Sequence, residues 1–394
     1  MKLSQRISTV GASETLAITA RAKQLQAEGI DVIGFGAGEP DFDTPQFIKD
    51  AAKAALDAGD TKYTPRDAEM LKKAIAAKLA RENNLHVESD QVVVTFGGKH
   101  ALYDICQVLL DPGDKVLIPG PYWVSYPEMV KLSGAEPVIL PSRVEDNFRI
   151  AARQISDAAR DAKMLILNSP SNPSGVTYTP EELREIAEAV LKTDLIVVSD
   201  EIYEKLVYGD TKFVSFASLD SRLPQRTITV NGPSKTFSMT GWRVGWAAGP
   251  TDVIGAMRRL MSHETTNPVS FAEAGALAAY TSEHAARTIE TMRRAFEKRG
   301  RHMARRLNAM SGVRCVEPTG AFYCFPDVSA HYGRTIQGRK IADSNTFMQA
   351  AMELAHVALV PGAAFGEDRC VRLSFATSME QIDRGLDRLE KLLL

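Results

Sequence analysis

The chain has 394 residues, 44% of them apolar and 24% charged, with a net charge of −2 at pH 7. That length predicts two domains, or a large domain with a smaller lobe, and the composition is that of a globular protein. The near-balanced charge excludes a phosphate-backbone partner, so no nucleic acid is expected.

The N-terminal residues lack the apolar core of a secretory signal, and every apolar run is far shorter than the ~20 residues a membrane helix needs. Four isolated cysteines without a Cys-x-x-Cys pair suit a reducing compartment. A cytoplasmic protein with no membrane partner is therefore expected. Seven histidines without a His-Glu-x-x-His spacing give no expectation of a metal.

The first motif in chain order is Gly34-Phe-Gly-Ala-Gly38. It shares glycines with the dinucleotide fingerprint, but the spacing is wrong and Glu39-Pro40-Asp41 reads as a turn, which excludes the nicotinamide reading. The glycines still let backbone approach a ligand closely. A strand is predicted over 91–95, then Gly97-Gly98-Lys99 and a helix over 101–110. That order suits backbone N–H groups aimed at a phosphate from a helix N-terminus. A turn over 111–114 and a strand over 115–118 lead to Pro121-Tyr-Trp123, whose indole can stack on a flat ring. The strand predicted over 164–168 runs into a loop at 168–175, where two prolines are expected to present Asn172 rather than bury it. Thr179 and Pro180 read as N-cap and first residue of a helix reaching 191. A strand over 195–199 places Asp200 at its carboxyl end, with Tyr203 three residues on. A strand over 227–230 precedes the segment 232–245. Lys235 stands there between Ser234 and Thr236, with Arg243 eight residues later, a set suited to a reactive amine beside a phosphate.

Continuous apolar strands separated by helices predict an α/β fold: a three-layer αβα large domain over 48–280 with a mostly parallel sheet. In such sheets ligands bind at the carboxyl ends of the strands. Beyond a hinge near 268–287, a long helix over 288–310, strands over 322–325 and 371–375 and a last helix over 379–394 predict a smaller α+β domain. It is expected to comprise 1–47 and 281–394.

These motifs resemble, over nearly the whole chain, the class I aminotransferases of the fold-type-I pyridoxal phosphate superfamily. The resemblance rests on Gly38-Glu-Pro-Asp-Phe-Asp-Thr-Pro45, the 168–175 loop, 199–203 and 234–245. Gly97-Gly98-Lys99 and 121–127 place it nearest the bacterial aspartate aminotransferases. The resemblance implies pyridoxal 5'-phosphate held on Lys235 through an imine, with the same lysine later moving the proton. It gives Asp200 the pyridine nitrogen, Tyr203 and Asn172 the phenolic oxygen, and Trp123 the ring face. The phosphate falls to Gly97, Gly98, Ser234 and Arg243, with Lys99 beside it and Tyr63 reaching in from a neighbouring subunit of a homodimer.

The substrate's α-carboxylate falls to Arg372, with Arg369 a poorer match and Gly38 closing over the same group. A second substrate carboxylate falls to Lys99, helped by Ser13 and Thr15. The implied activity is transfer of an amino group, with aspartate as donor and 2-oxoglutarate as acceptor. An aminotransferase for aromatic or other amino acids, or a β-lyase, is the alternative. Gly11 stands where relatives that also take prephenate have a basic residue. The stretch after Tyr63 is one residue short and lacks the usual glycine.

Overall fold

The computed structural model describes residues 3–11, 14–63 and 68–394. Seven strands form the central sheet. They are β1 (Val92–Thr95), β2 (Lys115–Pro119), β3 (Glu136–Leu140), β4 (Met164–Asn168), β5 (Ile196–Asp200), β6 (Thr227–Asn231) and β7 (Gly245–Ala248). Their order is β1-β7-β6-β5-β4-β2-β3. β7 alone runs antiparallel to its neighbours, β1 and β6. Alternate side chains serve opposite faces. Met164 and Ile166 join one core with Val198 and Val230, while Leu165 and Leu167 join another with Val197. Both faces are thus buried, as the unbroken apolar runs predict.

Helices complete the three layers. α1 (Gly98–Leu109) and α3 (Thr251–Glu264) put Leu102, Ile105, Ile254 and Met257 on the first face. α2 (Pro180–Val190) puts Leu183, Ile186 and Val190 on the second. Its start follows the sequence: Thr179 Oγ1 accepts from Glu182 N–H at 3.2 Å, and Glu182 Oε2 accepts from Thr179 N–H at 2.8 Å. Such a cap contributes about 1 kcal/mol.

Two strands lie outside the sequence expectations. β3 begins Glu-Pro and sits at the sheet edge, where a proline removes no ladder bond. β7 is Gly-Trp-Ala-Ala, with none of the branched residues that mark the other strands.

In the C-terminal part, Tyr323–Cys324, Val371–Ser374 and Val360–Pro361 form a three-stranded antiparallel sheet. The strand expected over 322–325 is only two residues long. Ile33–Gly34 pairs in parallel with Val357–Ala358 as a separate two-stranded sheet, which ties the N-terminal segment to this part of the chain. The long helices Ala285–Ala309 and Met379–Leu393 pack here through Phe296, Met303, Leu386 and Leu389. The stretch read as a hinge contains the helix Ser270–Thr281. It packs its Ala272, Ala276 and Ala279 with Ile48 and Trp246, so within that stretch helical structure is absent at 268–269 and 282–284 alone. Among the described residues no helix is long and apolar enough to cross a membrane.

Candidate active site

A cavity of about 540 Å³ opens where the carboxyl ends of the sheet strands meet the small lobe. That size is in the range of small-molecule sites. Twelve of the fifteen residues expected at the site line it: Thr15, Gly38, Gly98, Lys99, Trp123, Asn172, Asp200, Tyr203, Ser234, Lys235, Arg243 and Arg372. Gly97 lies immediately behind Gly98. Tyr63 is 81% exposed and outside this chain's own cavity. Ser13 and the residues 64–67 of the shortened stretch lie outside the described residues.

Lys235 closes the short helix Pro233–Thr236 after β6. Its Nζ donates to the Gly38 carbonyl at 2.5 Å and stands 5.8 Å from the Phe322 ring centre. Burial pulls the amine down to about 8; the charges of Arg372 and Arg243 add to this, while Glu39 and Asp200 oppose it. A neutral, nucleophilic fraction therefore exists near neutral pH.

Asp200 ends β5 and is buried. Tyr126 Oη donates to its Oδ2 at 2.6 Å and Ile202 N–H to its Oδ1 at 3.3 Å. Burial lifts the carboxyl to about 6 against these two bonds and the Lys235 charge. Asp200 is thus ionised at neutral pH and prepared for a cationic N–H. Glu201 turns inward, accepting from Ser199 Oγ, Ser215 Oγ and Phe216 N–H. Tyr203 Oη meets Tyr323 Oη at 3.0 Å.

The turn expected to cradle a phosphate is built from close backbone approach. Gly97 has φ +87°, and a Cβ there would meet Arg243 Nη2 at 2.5 Å. A Cβ on Gly245 would sit 2.3 Å from both Gly97 C and Gly98 N. Arg243 spans this turn, donating to the carbonyls of Phe96 at 3.1 Å and Thr240 at 2.7 Å. α1 starts at Gly98, so its first N–H groups lack intrahelical acceptors and face an anion site. Gly245→Ala is expected to force β7 off this turn. The cost is about 1–3 kcal/mol of stability, with weaker retention of a phosphate-bearing ligand. Calorimetry with and without that ligand checks this; an unchanged melting temperature in both would contradict the cradle.

Arg372, on Val371–Ser374, is only 2% exposed. It donates to Asn172 Oδ1 and the Gly36 carbonyl, each at 2.9 Å, and its Nε has no acceptor. The guanidinium lies 4.6 Å from the Tyr323 ring centre and 4.9 Å from that of Phe365. A planar cation so held suits a carboxylate. Asn172 corrects one expectation: it is 7% exposed, not presented, because the small lobe brings Arg372 over it. Arg369 lies elsewhere, paired with Glu145 at 2.9 Å and Asp327 at 3.0 Å. Lys99 Nζ stands 4.8 Å from the Trp123 ring centre. Burial, then the Arg243 charge, lowers its pKa.

Tyr126, Tyr323, Glu39 and Lys23 also line the cavity, unforeseen from sequence. Tyr126 falls one turn after Trp123, a spacing that points at the same site; Tyr323 carried no comparable sequence mark. An amine, a buried carboxylate, an anion cradle and a buried arginine around one cavity fit pyridoxal phosphate with an amino acid.

The family described as "Aminotransferase class I and II" matches residues 30–389. The chain is 48% identical to the aspartate aminotransferase of Bacillus subtilis (strain 168) over 393 residues, 99% of this chain and 98% of that one. It is 44% identical to an aspartate/prephenate aminotransferase of Cereibacter sphaeroides over 392 residues, 98% of each. Among solved structures, the aspartate aminotransferase from Rhizobium meliloti superposes with a TM-score of 0.95 at 39% identity, covering 100% of this chain and 99% of that one. A site of this make-up and a match along nearly the whole length agree: the chain belongs to the class I and II aminotransferases.

Proposed function

We propose that the protein moves the amino group of aspartate to 2-oxoglutarate in two half-reactions, using pyridoxal 5'-phosphate. The observation that carries this reading is the placement of two cations, Arg372 and Lys99, in one cavity with Lys235. Two cations suit a substrate with two carboxylates. When bound, pyridoxal phosphate supplies the electron sink for the carbanion left at the substrate Cα. Arg243, Ser234 and the N–H groups at Gly97–Gly98 would hold its phosphate, and Trp123 would cover its ring. Asp200, oriented by Tyr126, would keep a proton on the pyridine nitrogen. Tyr203 and Asn172 would hold the phenolic oxygen. Arg372 fixes the α-carboxylate, so that the Cα–H bond faces the Lys235 amine. Lys235 would take that proton on Nζ and hold it for the return that completes the half-reaction. Gly38 closes the substrate side, and the small lobe, taken as 1–47 and 281–394, moves in with Arg372 to exclude water.

Lys99, with Ser13 and Thr15, reads the side-chain carboxylate. Lys99→Ala is expected to lower kcat/KM for aspartate about 10- to 100-fold, the worth of one charge-assisted hydrogen bond. Activity on an apolar amino acid should hold. Equal losses on both would remove Lys99 as the reader. Gly11 offers no side chain to a larger acid, and its N–H is engaged by Glu128 Oε2 at 3.0 Å, which supports aspartate over prephenate. The exposure of Tyr63 supports a homodimer in which that phenol serves the neighbouring cavity. Four buried, unpaired cysteines support a reducing, cytoplasmic setting.

A further inference from the structure

Outside the cavity, among the described residues, one group of metal-ligating side chains converges: His100 and Asp104 on α1 and Glu264 at the end of α3. The same helix carries the phosphate cradle at its first residue, so this group lies directly behind the cradle. His100 Nε2 is 3.0 Å from Glu264 Oε2 and 3.4 Å from Asp104 Oδ1, and the three donor atoms lie within 4.8 Å of one another. Asp104 is 0% exposed, and neither of its oxygens accepts a hydrogen bond. A buried carboxylate facing a second carboxylate needs either a proton between the two or a positive partner.

We infer that His100, Asp104 and Glu264 form a divalent-cation site that staples the start of α1 to the end of α3. One nitrogen and two carboxylates are a donor set for zinc or manganese. Tetrahedral bonds near 2.0 Å put ligand atoms roughly 3.3 Å apart, close to the two measured edges. His100 and Asp104 are four residues apart, which places both on one helix face. The spacing is that of the two histidines in His-Glu-x-x-His, but an aspartate takes the second place and the third ligand comes from a distant helix, so the sequence alone gives no hint of it. His100 Nδ1 accepts from Phe96 N–H at 3.2 Å. An ion on Nε2 moves the ring proton to Nδ1, so this contact and the hydrogen bond between Nε2 and Glu264 Oε2 are exchanged for three coordinate bonds. Any proton on the carboxylates leaves to solvent. The site is separate from amino transfer: its ion ties down the cradle helix and takes no part in the reaction.

The test uses the holoenzyme, stripped with a chelator and titrated with zinc chloride, then with manganese chloride. Bound metal is counted after dialysis and the melting temperature is followed. One equivalent of metal per chain with a higher melting temperature is expected. Asp104→Asn should weaken metal binding at least tenfold while transamination without metal is retained. Glu264→Gln, at the partly exposed end of the site, makes the same comparison if the asparagine variant does not fold. Wild type binding no more metal than these variants would overturn the site. So would a melting temperature that rises in Asp104→Asn while wild type takes up no metal, which assigns the carboxylate pair to a shared proton.

Discussion

Lys235→Ala should lose amino transfer by about 10⁴-fold or more. A positioned general base contributes roughly 10²–10⁴, and in the proposed function the same amine also holds the cofactor. Its surroundings adapt it to both tasks. Burial brings it to about 8, against an ordinary lysine near 10.4. The sign is that of desolvation: the charged ammonium is disfavoured, so the neutral amine appears at lower pH. About half of the amines are neutral at pH 8 and about a tenth at pH 7. Capture of pyridoxal phosphate by the apoprotein should therefore speed up with rising pH and level off above 8. Lys235→Ala should show neither this rise nor a bond that borohydride can fix. Lys235→Arg separates charge from amine. It keeps a cation beside Asp200 yet offers no neutral nitrogen, so it should be as inactive as alanine. Substantial transamination by the arginine variant would refute the assignment.

The sheet was legible because its inner strands are buried on both faces, and burial on both faces writes itself as uninterrupted Val, Ile and Leu. Where that constraint lapses, so does the sequence mark. β3 lies at an edge, and β7, though buried, carries no branched residue: its Gly245 must clear the Gly97–Gly98 backbone, and Trp246 and two alanines complete it. The site was legible for a related reason. Lys235, Asp200, Asn172 and Gly98 each follow a strand end, and the strand ends are what the pattern locates. Their neighbours were not. Tyr126 reaches Asp200 across 74 positions and Tyr323 reaches Tyr203 across 120; no local pattern encodes such meetings. The burial of Asn172 was hidden likewise, since its cover comes from Arg372, 200 positions away.

Arg372→Ala should cut kcat/KM for every α-amino acid by about 10²–10³-fold, the scale of losing one partner of a buried, hydrogen-bonded charge pair. Three features of the site set this size. The guanidinium is buried, so water does not replace it. Its Nε has no protein acceptor, so a substrate oxygen can gain a bond without displacing another. Its other two nitrogens are fixed by Asn172 and Gly36, so its orientation is settled before substrate arrives. Removing it also leaves Asn172 Oδ1 and the Gly36 carbonyl without a donor, and Asn172 itself lines the cavity. Arg372→Lys tests orientation apart from charge. A lysine keeps the cation but cannot serve Asn172, Gly36 and a carboxylate from one plane, so it should fall between wild type and alanine. The control is the substrate. Lys99→Ala should spare amino acids with apolar side chains, whereas Arg372→Ala should penalise them as heavily as aspartate. An amine without an α-carboxylate should react equally slowly with wild type and Arg372→Ala. If the alanine variant instead lost activity on aspartate alone, Arg372 would be the reader of the side chain, and the roles of the two cations would have to be exchanged.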